Sequence, residues 1–266
     1  MDTGAGLPRD VDATRANDAR LCDFALGGKD NFAADRTAAL KLADALEETR
    51  YLLSEWHRFR VRALETLLDA GVRQFLELGC GMPVRNNVHD IVHARDPQAP
   101  VVYVDIDAVA VTHFLALLSS KATAATAVQA DIRDPAGVLG HPEIAARLDF
   151  DRPIGVLLIA VLHLIGDEED PNRIIAGYRE AMAPGSHLVY SDLSGEEQPA
   201  DQVATYVRIG EEVGIPVTMR GRTRTSQFFD GFDLLEPGLV SPPDWRPSGV
   251  SRPHTRWLLG AVGRKP

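Results

Sequence analysis

Glu77, Gly79 and Gly81 stand close together in the stretch Q-F-L-E-L-G-C-G-M-P, from Gln74 to Pro83. Phe75, Leu76 and Leu78 form a short apolar run ahead of the glycines, the pattern of a buried strand. A strand that runs into G-x-G marks the first crossover of a doubly wound sheet, where a ligand meets the carboxyl end of the strand. The residue types narrow the ligand. A pyrophosphate needs a third small residue and a row of available backbone N–H groups. Here the third position is Val84, and Pro83 has no N–H to offer. Glu77 places an anion just before the first glycine. The turn therefore suits a cationic ligand. S-adenosylmethionine has that chemistry: an ammonium, a sulfonium and a nucleoside, but no phosphate.

Three further acids follow at strand ends. Asp105 closes V-V-Y-V-D, where a carboxylate can accept hydrogen bonds from both ribose hydroxyls. Asp107 suits the alternative role of capping the next helix. Asp131 follows the run Ala125 to Ala130; it can accept an adenine amino group while Ile132 covers the ring. The apolar run Ile154 to Ala160 leads into A-V-L-H-L-I-G-D, a floor between cofactor and substrate. His163 on that floor is the first candidate for a general base, since imidazole titrates near neutrality. Tyr190 and Asp192, at the end of the fifth strand, are the next candidates. Glu168, Glu169 and Asp170 read as helix-entry acids. The turn Gly27–Asn31 reads as a helix–helix turn capped by Asp30 or Asn31, or as a lid over the cofactor site. The histidines show no metal-ligand spacing, so no metal is expected. Ser54, Ser191 and Ser194 lie in no G-x-S-x-G context, which disfavours a hydrolase triad.

The elements that must position these groups alternate. Short β-rich runs are expected at 75–78, 101–107, 125–130, 154–160 and 187–192, with helices between them. Upstream, helices are expected from about Phe32 to Glu48 and from about Leu52 to Ala70. On the second of these, Trp56, Phe59, Ala63, Leu64, Leu67 and Leu68 share a face, and Arg58, Arg60, Arg62 and Glu65 lie on the other. Residues 1 to about 16 are unpatterned, and the proline-rich stretch 237–253 reads as a loop. A last strand, Arg256 to Val262, is expected beside Phe232 to Leu235.

At 266 residues the chain has room for one large α/β domain and accessory helices. A net charge of −10 without a basic block argues against a general nucleic-acid surface. Two distant cysteines, Cys22 and Cys80, and no apolar leader or long apolar run fit a cytoplasmic protein outside the membrane.

The ordered set E-L-G-C-G, V-Y-V-D, Q-A-D-I-R and A-V-L-H-L-I resembles the motifs of class I S-adenosylmethionine-dependent methyltransferases. D-F-A-L-G-G-K-D-N-F-A-A-D-R, G-M-P with N-V-H at Asn87 to His89, D-R-P at Asp151 and F-F-D-G-F-D-L-L-E-P-G-L-V resemble an actinobacterial methyltransferase family formerly filed as a domain of unknown function. The resemblance implies a Rossmann-like, seven-stranded, mostly parallel, doubly wound α/β sheet whose last strand is antiparallel. An N-terminal helical extension or lid would span 1–50 and the methyltransferase domain 51–266. It also implies that Glu77, Gly79 and Gly81 line the methionine end, that Asp105 holds ribose, and that Asp131 and Ile132 meet adenine. Ala160 and His163 fall on the motif after the fourth strand. The third glycine of the family pattern is missing, so Arg85 or Asn87 would take the methionine carboxylate. The expected function is methyl transfer from S-adenosylmethionine to a small molecule. The alternative is a regulator or scaffold that binds S-adenosylmethionine without turnover, its front pocket filled by the N-terminal helices. A nucleotide-dependent oxidoreductase is disfavoured by Glu77, Pro83 and Val84. No residue pattern marks a particular acceptor, methylated atom or oligomeric state.

Overall fold

The computed structural model describes residues 12–46, 48–120, 123–247, 249 and 254–266. Of the unpatterned N-terminus, residues 1–11 lie outside these, as do 248 and 250–253 of the proline-rich loop. Three helices come first: α1 (Asp18–Ala25), α2 (Ala33–Ala45) and α3 (Thr49–Asp69). The alternating part follows as β1 (Phe75–Leu78), α4 (Val88–His93), β2 (Val101–Asp105), α5 (Ala108–Ser119) and β3 (Ala125–Gln129). Then come α6 (Pro135–Leu139), α7 (Pro142–Ala145), β4 (Gly155–Ile159), α8 (Pro171–Ala181) and β5 (His187–Leu193). The chain closes with α9 (Ala200–Glu212), α10 (Arg222–Ser226), β6 (Asp233–Leu234) and β7 (Leu258–Arg264).

All seven strands form one sheet in the order β3-β2-β1-β4-β5-β7-β6. The first five pair in parallel; β7 runs antiparallel to both β5 and β6. The strand order reverses at β1, so the crevice between the carboxyl ends of β1 and β4 is where a ligand fits. Both faces are covered, which explains the continuous apolar runs. Alternate side chains feed opposite layers. Leu76, Val104 and Leu158 join one cluster, while Phe75, Tyr103 and Leu157 join the other with Phe59, Leu64 and Leu67 of α3.

A third cluster joins the N-terminal helices to the front of the sheet. Leu21, Ala38 and Leu42 pack with Leu52, Trp56, Tyr206 and Trp257. Arg20 pins this assembly. Its guanidinium donates to Asp35 at 2.9 Å and to Asp107 at 3.0 Å, and to the Arg15 carbonyl at 3.0 Å. Asp107 also caps α5, accepting from the Val109 N–H at 2.8 Å, as its position suggested.

Local details differ from the sequence pattern. Asp30 and Asn31 do not cap α2. Their backbone N–H and side-chain amide instead donate to Asp23 at 2.9 and 2.8 Å, while Asp35, inside the helix, reaches back to the Phe32 N–H at 2.8 Å. The Gly27–Asn31 segment is thus a helix–helix turn tied to α1. Arg60 and Arg62 are buried rather than solvated, because their long stems carry the guanidinium groups to buried acceptors. Arg62 donates to the carbonyls of Trp245 and Pro242, at 2.9 and 2.5 Å.

Replacing Arg20 with Met leaves Asp35, which is fully buried, without its cation. Urea unfolding should show a loss of about 3–5 kcal/mol, the scale for breaking one side of a buried pair. A loss below about 1 kcal/mol would mean that apolar packing alone holds the N-terminal helices.

Candidate active site

The carboxyl end of β1 opens into a tight turn. Gly79 and Gly81 adopt φ of +71° and +63°, the left-handed region that glycine enters without strain. A β-carbon at Gly79 would lie 2.3 Å from Val161 Cγ2, so the close approach of the two loops also demands glycine. The Gly81 N–H donates to Asp105 Oδ2 at 2.8 Å, and the Asp107 N–H to Asp105 Oδ1 at 2.9 Å. Each Asp105 oxygen keeps further acceptor capacity. Burial pushes the Asp105 carboxyl above the ordinary carboxylate value, against the two backbone donors that lower it.

In front of this turn lies a cavity of about 600 Å³. Glu77, Gly79, Gly81 and Arg85 line it, and so do Asp105, Asp131, Ile132 and Ala160. Asn87 does not. Its Oδ1 accepts from the Val84 N–H at 3.0 Å and its backbone N–H donates to Asp90 at 3.1 Å, so it closes the loop before α4 instead of facing a ligand. Arg85 is exposed on that loop.

Glu77 is buried with a partner from α3 that the sequence pattern did not reveal. Arg60 donates to Glu77 Oε1 at 3.1 Å. Glu77 Oε2 and Arg60 Nε are both buried without hydrogen-bond partners. Burial raises the Glu77 pKa, and the adjacent guanidinium only partly opposes it. Arg60 also approaches Nδ1 of His57 at 3.1 Å. Burial and the neighbouring Arg60 and Arg58 push His57 down to about 4, so its ring is neutral near pH 7 and accepts there.

Asp131 reaches the cavity but is engaged. Arg133 donates to both of its oxygens, at 2.9, 3.0 and 2.6 Å, and extends to Glu169 at 2.6 Å. This contact holds the Asp131 carboxyl below its usual value. Ile132 is buried in the wall beside it.

At the end of β4, Ala160 takes a left-handed φ of +57° and turns the chain beneath the cavity. His163 and Asp192 come together there as a buried pair. Asp192 accepts from the His163 backbone N–H at 2.9 Å and contacts Nδ1 at 2.5 Å. Trp56 lies parallel to the imidazole, with centroids 6.1 Å apart. Neither His163 nor Asp192 is among the residues lining the cavity; they lie behind the lining formed by Val161, Leu164 and Ile165. Tyr190 is further away. It is two residues before Asp192 on the same sheet face, and so sits deeper in the core, where it packs edge-on against Phe228 and Phe229. The catalytic expectation for Tyr190 is therefore corrected: it is a core residue.

Sequence reasoning missed the front wall. Asp18, Cys22 and Leu26 line the cavity from α1, and Leu53, Trp56 and His57 line it from α3. The spacing of four on α1 was a signal for one shared face, but nothing in the sequence said what that face meets. Burial raises the Asp18 carboxyl, with His163 opposing. Burial and Asp18 also push the Cys22 thiol well up, which keeps it protonated. Among the described residues no cluster of His, Cys, Asp and Glu could hold a metal ion, and no helix is long and apolar enough to cross a membrane. The site therefore offers a carboxylate beside an orphaned guanidinium nitrogen, a carboxylate at a strand end, an apolar cover for a flat ring, and a walled space in front.

A family model described as S-adenosyl methyltransferase matches residues 4–266. Among solved structures, a protein of domain-of-unknown-function family 574 from Streptomyces avermitilis is 32% identical, with a TM-score of 0.90 over 96% of this chain and 99% of its own. A candidate methyltransferase from Thermobifida fusca is 33% identical, with a TM-score of 0.90 over 98% of this chain and 99% of its own. An S-adenosylmethionine-dependent methyltransferase from Mesorhizobium loti shares the fold at 17% identity, with a TM-score of 0.50 over 77% of this chain and 96% of its own. A search of curated proteins gave no match. With the family pattern running along nearly its whole length and the strand order on the page, this chain belongs to the S-adenosyl methyltransferase family.

Proposed function

We propose that the protein transfers the methyl group of S-adenosylmethionine to a small molecule held in the space in front of the glycine turn. The observation that carries this reading is the pair of buried, orphaned atoms, Glu77 Oε2 and Arg60 Nε, on two ion-paired residues that line the cavity. A buried polar group without a partner is costly. An amino-acid end group, with one ammonium and one carboxylate, supplies a partner to each. Arg60 thus takes the role expected of Arg85 or Asn87. Asp105 would receive the ribose hydroxyls. Ile132 would cover adenine, with Asp131 and Arg133 at its edge.

S-adenosylmethionine supplies an electrophilic methyl on a positively charged sulfur. The chain's contribution is alignment and exclusion of water, which suffice for an in-line displacement. Gly79 lets the backbone come close, Ala160 shapes the floor, and α1 with α3 closes the front. The helices wall the cavity without filling it, which weighs against a binding protein without turnover. Because α1 and α2 are packed and ion-paired to the domain, we read α1 as a fixed wall rather than a moving lid. His163 and Asp192 act as a buried support under the floor. The enclosed, acid-lined site and the charge of −10 favour a small acceptor over nucleic acid. A cytoplasmic location fits the two unpaired cysteines.

Calorimetric titration tests the cofactor site. S-adenosylmethionine and S-adenosylhomocysteine should bind and NAD should not. Asp105→Ala should weaken both by about 100-fold or more, the worth of two hydrogen bonds to a charged acceptor. Tight NAD binding would overturn the assignment.

The pH dependence has a defined sign. Glu77 serves a cation only when ionised, and its pKa is raised. Affinity for S-adenosylhomocysteine should therefore fall as pH drops through that raised value, earlier than for an ordinary carboxylate near 4.5. Asp105, raised likewise, adds to the fall. Glu77→Gln should be weaker at pH 7 and give a shallower profile. A profile identical to wild type would remove Glu77 from the cofactor contact.

A further inference from the structure

Resting on the methyltransferase reading, we infer that the methyl acceptor is a protonated amine on an aromatic or apolar body, with Asp18 as its counter-ion and proton acceptor. The charges around the cavity carry this inference. Three of its four lining arginines are committed: Arg58 to Glu55, Arg60 to Glu77, and Arg133 to Asp131 and Glu169. The fourth, Arg85, is exposed on the loop after the glycine turn, beside the end assigned to the cofactor. Among the described residues an anionic acceptor would find no cation in the front chamber without a carboxylate partner already. The lining carboxylates are unequal as well. Asp23 is taken up by the Asp30 N–H and the Asn31 amide. Among the described residues Asp18 has one side-chain hydrogen-bond partner, the Cys22 thiol at 3.9 Å. Behind the floor, His163 and Asp192 form a pair whose opposite charges compensate when the imidazole is protonated, the state that Asp192 and Asp18 favour. Asp105 and Asp23 also lack a cation, but each accepts two N–H donors, so Asp18 is the lining carboxylate left with a thiol as its side-chain partner.

The second observation is Trp56. It is 8% exposed, its ring forms part of the wall, and its Nε1–H has no partner. The indole face suits an ammonium. The orphaned N–H lies buried beneath that wall, where a small turn of the indole would bring it to an acceptor atom on the ligand's body. Leu26, Leu53 and Leu164 complete an apolar surround. An arylalkylamine bearing an oxygen meets all of these at once. Burial raises the Asp18 carboxyl, the direction that makes it a better proton acceptor. The step balances. The ammonium N–H bond breaks and its proton passes to Asp18. The nitrogen lone pair forms the new N–C bond. The methyl carbon's bond to sulfur breaks, its electron pair stays on sulfur as a neutral thioether, and the positive charge ends on the methylated nitrogen.

The test uses the intact protein saturated with S-adenosylhomocysteine at pH 7. Tyramine, its alcohol analogue tyrosol and its acid analogue 4-hydroxyphenylacetate are titrated by calorimetry. Tyramine should bind at least about tenfold more tightly than either analogue. Asp18→Asn should reduce that preference to less than about threefold, with S-adenosylhomocysteine affinity unchanged. Trp56→Phe should remove the advantage of tyramine over phenethylamine, which lacks the ring oxygen. Equal or tighter binding of the alcohol or acid, no binding of any probe, or a preference that survives Asp18→Asn would overturn the inference. Loss of S-adenosylhomocysteine binding in folded Asp18→Asn would overturn it too, by assigning Asp18 to the cofactor. If wild type fails to bind S-adenosylhomocysteine at all, the cofactor site itself has failed.

Discussion

The hydrogen bond from the Gly81 N–H to the Asp105 carboxylate, beside those from the Gly79 and Cys80 N–H groups to the Val104 carbonyl, joins the ends of two neighbouring strands and sets the shape of the site. It folds the glycine turn over the carboxyl end of β2 and holds the carboxylate at the mouth of the crevice. The two left-handed glycines make the turn possible, and the tight approach to Val161 brings the loops after β1 and β4 together. Everything else in the cavity is arranged against that junction. Glu77 lies just before it, Ala160 faces it, and α3 delivers Arg60 to it.

Around this junction the molecule spends its buried charges in two ways. Arg20 is fully committed, with Asp35 and Asp107 as partners, and its role is to lock α1 and α2 against α5 and the sheet. Arg60 and Glu77 are committed on one side only, each keeping a buried atom without a hydrogen-bond partner. A buried ion pair that is complete reads as architecture; one with unmatched atoms at a cavity wall reads as half of a recognition surface.

The sheet was legible in the sequence because its physics is local. Apolar runs ending in Asp105, Asp131 or a glycine turn define strand, end and crossover together, and the observed strands fall at those positions. The parts that resisted share another cause. Arg60 and Arg62 occupy what reads as the polar face of α3, and only the tertiary structure shows that their stems run to buried acceptors. Asp18, Cys22 and Leu26 announce a helical face but not its partner. Tyr190 sits at a suggestive place near a strand end, yet the twofold alternation of the strand puts it in a phenylalanine-lined core. Asn87, one of two residues that the sequence offers for the methionine carboxylate, serves the backbone around it as a cap. Local pattern reports which residues are available; the packing of distant elements decides which of them reach the cavity.

The helix α3 touches both halves of the cavity, with Arg60 at one and Trp56 at the other, a single turn apart. Four residues of helix rise about 6 Å. A rigid rod, rather than a hinge or a loop, therefore gauges the spacing between the proposed donor and acceptor ends. Mutation along α1 can then reshape which molecules are accepted while the reach of the transfer stays fixed, so drift in preference and constancy of chemistry are assigned to separate stretches of one chain.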